Sequence, residues 1–365
     1  MRFLIALMPL YLVGQSPSPM IRAKQFPPPD FVLHDTIHKE PPSGVQLGPG
    51  GITIQQGVGT PTTINVLAFS GDGKVLAAGK DFGRVVVWDF PSRSVAGIVE
   101  TGQGIVSAVA LNDDGTILAT GGNGDKFSVK LWNVTTGKVT KTFKLGQDFV
   151  KDVRFDSLGR WVAVTYNQGR AYVIDSTTGS PVLELTRTGT HAMRFSKDGT
   201  MLLTGDAFDF TTWNTGDWSK RQSAPRGQGG PLLLAFHALS NRIAVERDFR
   251  VRIALLSTGE VAESVGDLLP DARANPFLPF SEFSTDGSIL FLTLKDRLWL
   301  LNTRTGTVCG SNVMYSSGGA LSPNGRWLVG SKDDSILSKE RTDGVWVWDT
   351  EKLATDCGMT PSVQN

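Results

Sequence analysis

One cassette returns seven times between residues 51 and 350: an apolar strand, a turn like Ser-x-Asp-Gly, a second apolar strand, and a third that ends in Trp-Asp or a relative. The first copy reads Val66-Leu67-Ala68-Phe69, Ser70-Gly71-Asp72-Gly73, Val75-Leu76-Ala77-Ala78-Gly79 and Val85-Val86-Val87-Trp88-Asp89. The turn comes back as Asn112-Asp113-Asp114-Gly115, Asp156-Ser157-Leu158-Gly159, Ser196-Lys197-Asp198-Gly199, Ser284-Thr285-Asp286-Gly287 and Ser322-Pro323-Asn324-Gly325, and is worn to His237-Ala238-Leu239-Ser240 in the fifth copy. The strand-ending pairs are Trp88-Asp89, Trp132-Asn133, Ile174-Asp175, Trp213-Asn214, Leu256-Ser257, Leu301-Asn302 and Trp348-Asp349, spaced 44, 42, 39, 43, 45 and 47 residues apart. A unit this short cannot bury its own apolar faces, so copies must stack to share a core.

Period and motif resemble the WD40-repeat family across residues 51–350. The resemblance implies an all-β, seven-bladed propeller of four-stranded blades. The local chemistry agrees: Asp-Gly and Asn-Gly accept positive φ and close the first hairpin, and Thr136-Gly137, Thr178-Gly179, Thr258-Gly259 and Thr305-Gly306 do so after the third strand. An aromatic ending the third strand can pack between blades. Members of the family often carry a Gly-His before the first strand and an Asp six residues before the Trp, which build a buried hydrogen-bonded tetrad. No copy here has the Gly-His, and the Asp position holds Phe82, Lys126, Gln168, Ala207, Arg250, Lys295 and Thr342. The tetrad is therefore expected to be absent from all seven blades, with packing holding them together.

Arg2 followed by the apolar run Phe3–Val13 and Gly14-Gln15-Ser16 reads as a signal peptide over residues 1–15, too short to span a bilayer. Residues 16–50, with Pro27-Pro28-Pro29, Pro41-Pro42 and Gly48-Pro49-Gly50-Gly51, read as a linker. The propeller occupies 51–357 and a tail 358–365. The protein is expected to be exported, periplasmic or secreted as in bacteria, with no membrane span once the signal is removed. Lys and Arg number 36 against 35 Asp and Glu, which leaves no basic footprint for nucleic acid.

No catalytic, cofactor-binding or metal constellation emerges. His34-x-x-x-His38 has ligand spacing, but it sits among prolines, without helical periodicity. His191 and His237 fit packing or surface roles. There is no Gly-x-Ser-x-Gly elbow and no phosphate loop leading into a helix. Cys309 falls on the outer strand of blade 6, and Cys357 at nearly the same place in blade 7. Equivalent outer positions of neighbouring blades lie about 15–20 Å apart, while a disulfide needs Cα atoms within about 7 Å. A bond forms only if the C-terminal tail leaves the outer-strand path and crosses back.

The face carrying the outer-to-inner and second-to-third strand loops holds two long excursions, residues 266–276 and 331–343. Loops on a rigid scaffold are where recognition tends to sit, so Arg273, Lys332, Asp333, Asp334, Lys339 and Arg341 are candidate contacts. The expected function is a non-enzymatic, protein- or peptide-binding scaffold. Two rivals are a propeller enzyme (a hydrolase or a cofactor-dependent dehydrogenase) with a central-channel site, and a structural part of an envelope assembly. Inner strands that are mostly apolar speak against the enzyme. Ring closure is expected from the N-terminal side, with residues 51–56 pairing with 345–349 as the last blade's outer strand. The alternative is that 352–357 supplies that strand.

Overall fold

The computed structural model describes residues 24–34, 46–48, 51–53, 63–185, 192–206, 209–225, 232–247, 250–256, 261–263, 280–294, 297–311, 315–332 and 344–359. Alternation of apolar residues makes each cassette a meander, and seven four-stranded meanders close into a ring. Blade 1, for example, runs Ile64–Phe69, Val75–Lys80, Arg84–Asp89 and Ser94–Glu100 from the axis outward. Because successive side chains leave a strand on opposite faces, Val86 and Trp88 pack toward Val345 and Val347 of blade 7, while Val85 and Val87 pack toward Leu118 and Trp132 of blade 2. The core is therefore a wheel of inter-blade seams.

The first hairpins share one design. Ser70, Ser196 and Ser284 each donate to the Asp two residues on, and accept the backbone N–H five residues on. The closing glycines, from Gly73 to Gly325, take positive φ. The Asp or Asn after the third strand caps the next turn: Asp89 accepts from Ser92 N, Asn133 from Thr136 N and Asn214 from Gly216 N. The Asp of Trp-Asp is thus a turn residue. Asp349 does the same for the helix Thr350–Asp356, accepting from Glu351 and Lys352 N–H.

Closure comes from the N-terminal side, but from a different segment than expected. Phe31–His34 pairs antiparallel with Gly344–Asp349 as the outer strand of blade 7. Gly51–Thr53 instead forms a two-stranded ribbon with Gln46–Gly48, residues 54–56 lie outside the described residues, and 352–356 is helical. The stretch read as linker also reaches blade 6, where Lys24–Gln25 pairs parallel with Cys309–Gly310. Phe26 N donates to Gly310 O, and its ring meets Trp348 edge-on. Pro27 O accepts from the Trp348 indole at 3.2 Å, and Asp30 holds Asp349 N and Lys352. The prolines that suggested a linker suit a crossing between two sheets, because they bring no backbone N–H that would need a partner there. Leu33 is buried among Val345, Val347 and Trp88, which contributes about 1.5–3 kcal/mol.

The C-terminal helix leaves the outer-strand path and buries Leu353 and Ala354. It brings Cys357 to Cys309 with Cα atoms 5.7 Å apart, and the two are bonded. Met359, placed in the tail by the sequence reading, is buried in the same cluster. No helix among the described residues is long and apolar enough to cross a membrane.

Candidate functional site

The inner strands meet around a central channel with a cavity of about 480 Å³. One register of the inner strands, the position before Phe69, Leu111, Phe155, Phe195, Phe236, Phe283 and Leu321, holds Ala68, Ala110, Arg154, Arg194, Ala235, Glu282 and Ala320, and all of these but Arg194 and Ala235 line the cavity. Three alanines leave room there, Arg154 and Glu282 from blades 3 and 6 line it, and Arg194 of blade 4 stands beside it, bonded to Asp152. Asp152, two residues up the strand from Arg154, joins them. The expectation of a mostly apolar channel is thereby corrected. Each inner strand is apolar in total, but blades 3 and 6 set charged residues against the cavity.

Asp152 lies between two guanidiniums, accepting from Arg194 Nη1 at 3.0 Å and from Arg154 Nε at 3.2 Å. Arg154 also approaches Glu282, with Nη1 to Oε1 at 3.7 Å. Arg194 Nη1 further donates to Met193 O, whereas its Nε is buried with no acceptor. Lys151 lines the cavity and is 9% exposed. Among the described residues nothing accepts a hydrogen bond from its ammonium.

Enclosure by the ring disturbs these groups strongly. Burial, reinforced by the neighbouring Arg154, pulls Arg194 down to about 10. Burial lowers Lys151 as well; Asp152 opposes that shift and Arg194 adds to it. Glu282 is raised by burial against the pull of Arg154 and Arg194. It keeps 36% of its side chain open, but to the cavity inside the wall, where the surroundings are protein on nearly every side. For Arg154, burial works downward, yet Asp152 and Glu282 outweigh it and the group is raised. Three cations face two anions, so the cluster carries about one unit of positive charge in a poorly solvated place.

On the side of the first hairpins the channel is crossed. Lys197, at the tip of blade 4's turn, donates to Pro323 O in blade 7's turn at 2.8 Å. The opposite face carries the loops between blades. Of the candidate contacts there, Arg273, Asp333, Asp334, Lys339 and Arg341 lie outside the described residues; for Lys332 only the backbone is described, paired with Tyr315. His38 and His191 also lie outside them, while His237 bridges Ser240 and Thr285 O of the next blade in a structural role.

Blade 2 corrects a second expectation. Trp132 Nε1 donates to Thr120 Oγ1 at 2.8 Å, and Thr120 in turn donates to Gln103 Oε1. Gln103 Nε2 closes the circuit on Ser128 O at 2.6 Å, and Gln103, Thr120 and Ser128 are fully buried. Gly102-Gln103 stands where a Gly-His would, and glutamine supplies the donor and acceptor that histidine otherwise would. Blade 4 keeps a fragment, Trp213 Nε1 to Thr204 Oγ1 at 3.0 Å. The signal was present in Gly102-Gln103, but a search for histidine passes over it.

Residues 97–133, which end on this same blade, match the family model of the WD domain, G-beta repeat. The chain resembles the WD40-repeat family. It is also 26% identical over 172 residues to apoptotic protease-activating factor 1 of Rattus norvegicus, a match taking in 46% of this chain and 14% of that protein. Repeat and ring together make the molecule a WD40-like propeller, an architecture that suggests a protein-interaction scaffold and is typically non-enzymatic.

Proposed function

We propose that this WD40-like propeller is a non-enzymatic scaffold of the extracytoplasmic space that binds a protein or peptide at the loop-bearing mouth of its channel. The observation that carries this reading is the channel itself: a rigid ring around a cavity of about 480 Å³, crossed on one face and lined on one side by charge. Asp152 is held by Arg154 and Arg194, and Glu282 approaches the same Arg154. Export is supported by the apolar run after Arg2 and by the bonded pair Cys309–Cys357, which fits an oxidising compartment.

The test is to cross-link the tagged full-length protein in its native host, fractionate the cells, and measure the mature N-terminus by mass. The expected result is a chain lacking about fifteen leading residues, found outside the cytoplasm with a bound protein or peptide. Retention of Met1 in a cytoplasmic protein would sink the export half, and hydrolase turnover lost on mutating Glu282 would sink the non-enzymatic half.

A further inference from the structure

We infer that the outer strand of blade 1, Ser94–Glu100, is a dimerisation edge that pairs antiparallel with the same strand of a second copy of this chain. It lies on the rim of the ring, apart from the channel mouth, and is independent of the peptide-binding reading. No described strand lies beyond it. Such an edge presents a row of backbone N–H and C=O groups that its own sheet does not use, so it is either protected or it collects another strand. Each of the other outer strands carries a protective device. Lys138–Phe143 has two lysines, Pro181–Leu185 a proline and a glutamate, and Lys220–Pro225 opens on Lys-Arg and ends on proline. Val261–Glu263 is three residues long, Phe31–His34 four, and Val308–Gly310 is covered by Lys24–Gln25. Ser94–Glu100 has none of these. At seven residues it is the longest of the set, it holds no lysine, arginine or proline, and its single charge is at its last residue. The bulge opposite Val87 and Trp88 recurs in blades 2 to 5, so it does not set this edge apart.

Register and charge select a second copy as the occupant. Past the bulge, Gly97, Ile98, Val99 and Glu100 run in regular register against Val87, Val86, Val85 and Arg84. A two-fold axis at Ile98 sets Gly97 opposite Val99 and Ala96 opposite Glu100 of the other copy, with one Ile98 against the other. Ile98 is the large apolar side chain that this strand leaves exposed, at 36%, and self-pairing covers it. No like charges meet: the two Glu100 carboxylates stand about 14 Å apart, and each is held by Arg84 of its own chain at 2.9 Å. A charged strand from another protein finds no counter-charge along this edge, whereas the edge is as uncharged as itself. The formal charge of +1 on the whole chain adds little repulsion between copies.

The test uses the full chain, whose two cysteines are bonded to each other. Sedimentation equilibrium from micromolar to millimolar concentration should show a monomer–dimer equilibrium. Ile98→Lys puts two ammonium groups face to face at the axis and should weaken the dimer about tenfold or more. Its melting point in dilute solution, where both proteins are monomers, should stay native because residue 98 is open to solvent. Ile98→Cys introduces a free thiol, and copper-catalysed air oxidation should join two copies through it, since directly opposed residues bring their Cα atoms to about 4.5–5.5 Å. Ser94→Cys should not be joined, because its two thiols lie about 20 Å or more apart. A chain that stays monomeric across the range would overturn the inference, as would a dimer that Ile98→Lys leaves unchanged, or equal cross-linking of the two cysteine variants. So would Ile98→Cys linking to a different protein in the native host while the purified chain stays monomeric, which would assign the edge to a partner's strand. None of these outcomes bears on peptide binding at the channel mouth.

Discussion

Blades 2 and 7 solve the same problem by opposite means. Blade 2 is contiguous: its four strands lie within Val106–Phe143, and a buried circuit of Gln103, Thr120, Ser128 and Trp132 ties them within 30 residues. Blade 7 is assembled from both ends of the chain. Its outer strand, Phe31–His34, lies more than 300 residues before its partner Gly344–Asp349, and its tryptophan finds its acceptor at Pro27 O. Local pairing carries a small loop-closure cost, and distant pairing a larger one. At the seam, added contacts offset that cost: the parallel pair at Lys24–Gln25, the Asp30 bridge and the covalent link Cys309–Cys357. A polar network inside one blade and a clasp across two are alternative ways of making one Trp-bearing strand immobile.

The comparison breaks most visibly at the clasp. A chain beginning at residue 35 should lose cooperative melting and aggregate, because Leu33 is stripped from its pocket and the edge Gly344–Asp349 is left unpaired. A chain beginning at residue 24 should melt as the mature protein does. Scanning calorimetry with size-exclusion chromatography separates the two, and equal behaviour would mean that Phe31–His34 is not the closing strand.

The next effect in size is that of the disulfide. Cys357→Ser opens a loop of sequence separation 48 and should lower stability by about 2–4 kcal/mol in denaturant titration. Reductant should destabilise the native protein by a similar amount and leave the variant unchanged. A variant as stable as the parent would show that the helix Thr350–Asp356 docks by packing alone.

Thr120→Val should cost less, about 1–3 kcal/mol, because it leaves Trp132 Nε1 and Gln103 Oε1 buried without partners. Since blade 2 and the seam share no contact in this network, the losses from Thr120→Val and Cys357→Ser should add to within about 0.5 kcal/mol. A clear departure from additivity would show that the ring transmits strain between the two, and that the two devices are not independent.

Repeat number, blade order and hairpin turns were legible in the chain because each rests on residues close in sequence. Ser70, Asp72 and Gly73 make their turn from their own side chains and φ preference, wherever blade 1 sits. The channel cluster was legible in principle: Arg154-Phe155, Arg194-Phe195 and Glu282-Phe283 share a register with Ala68-Phe69. It was hidden by averaging over strands instead of comparing one inward position around the ring. Which segment closes the ring could not be read locally. Residues 51–56 alternate as a strand should, while Phe31–His34 follows three prolines, and only the three-dimensional ring offers the latter an open edge, a leucine pocket and a second blade to lean on. The disulfide depended on the same geometry, because a seven-residue helix had to carry Cys357 back across the boundary between blades. Sequence by itself determined what each 43-residue cassette becomes, through turn chemistry and period-two burial. Tertiary structure decided what the two ends do and how five charged side chains from blades 3, 4 and 6 come to face one another, since both depend on distances that exist only once the ring is closed.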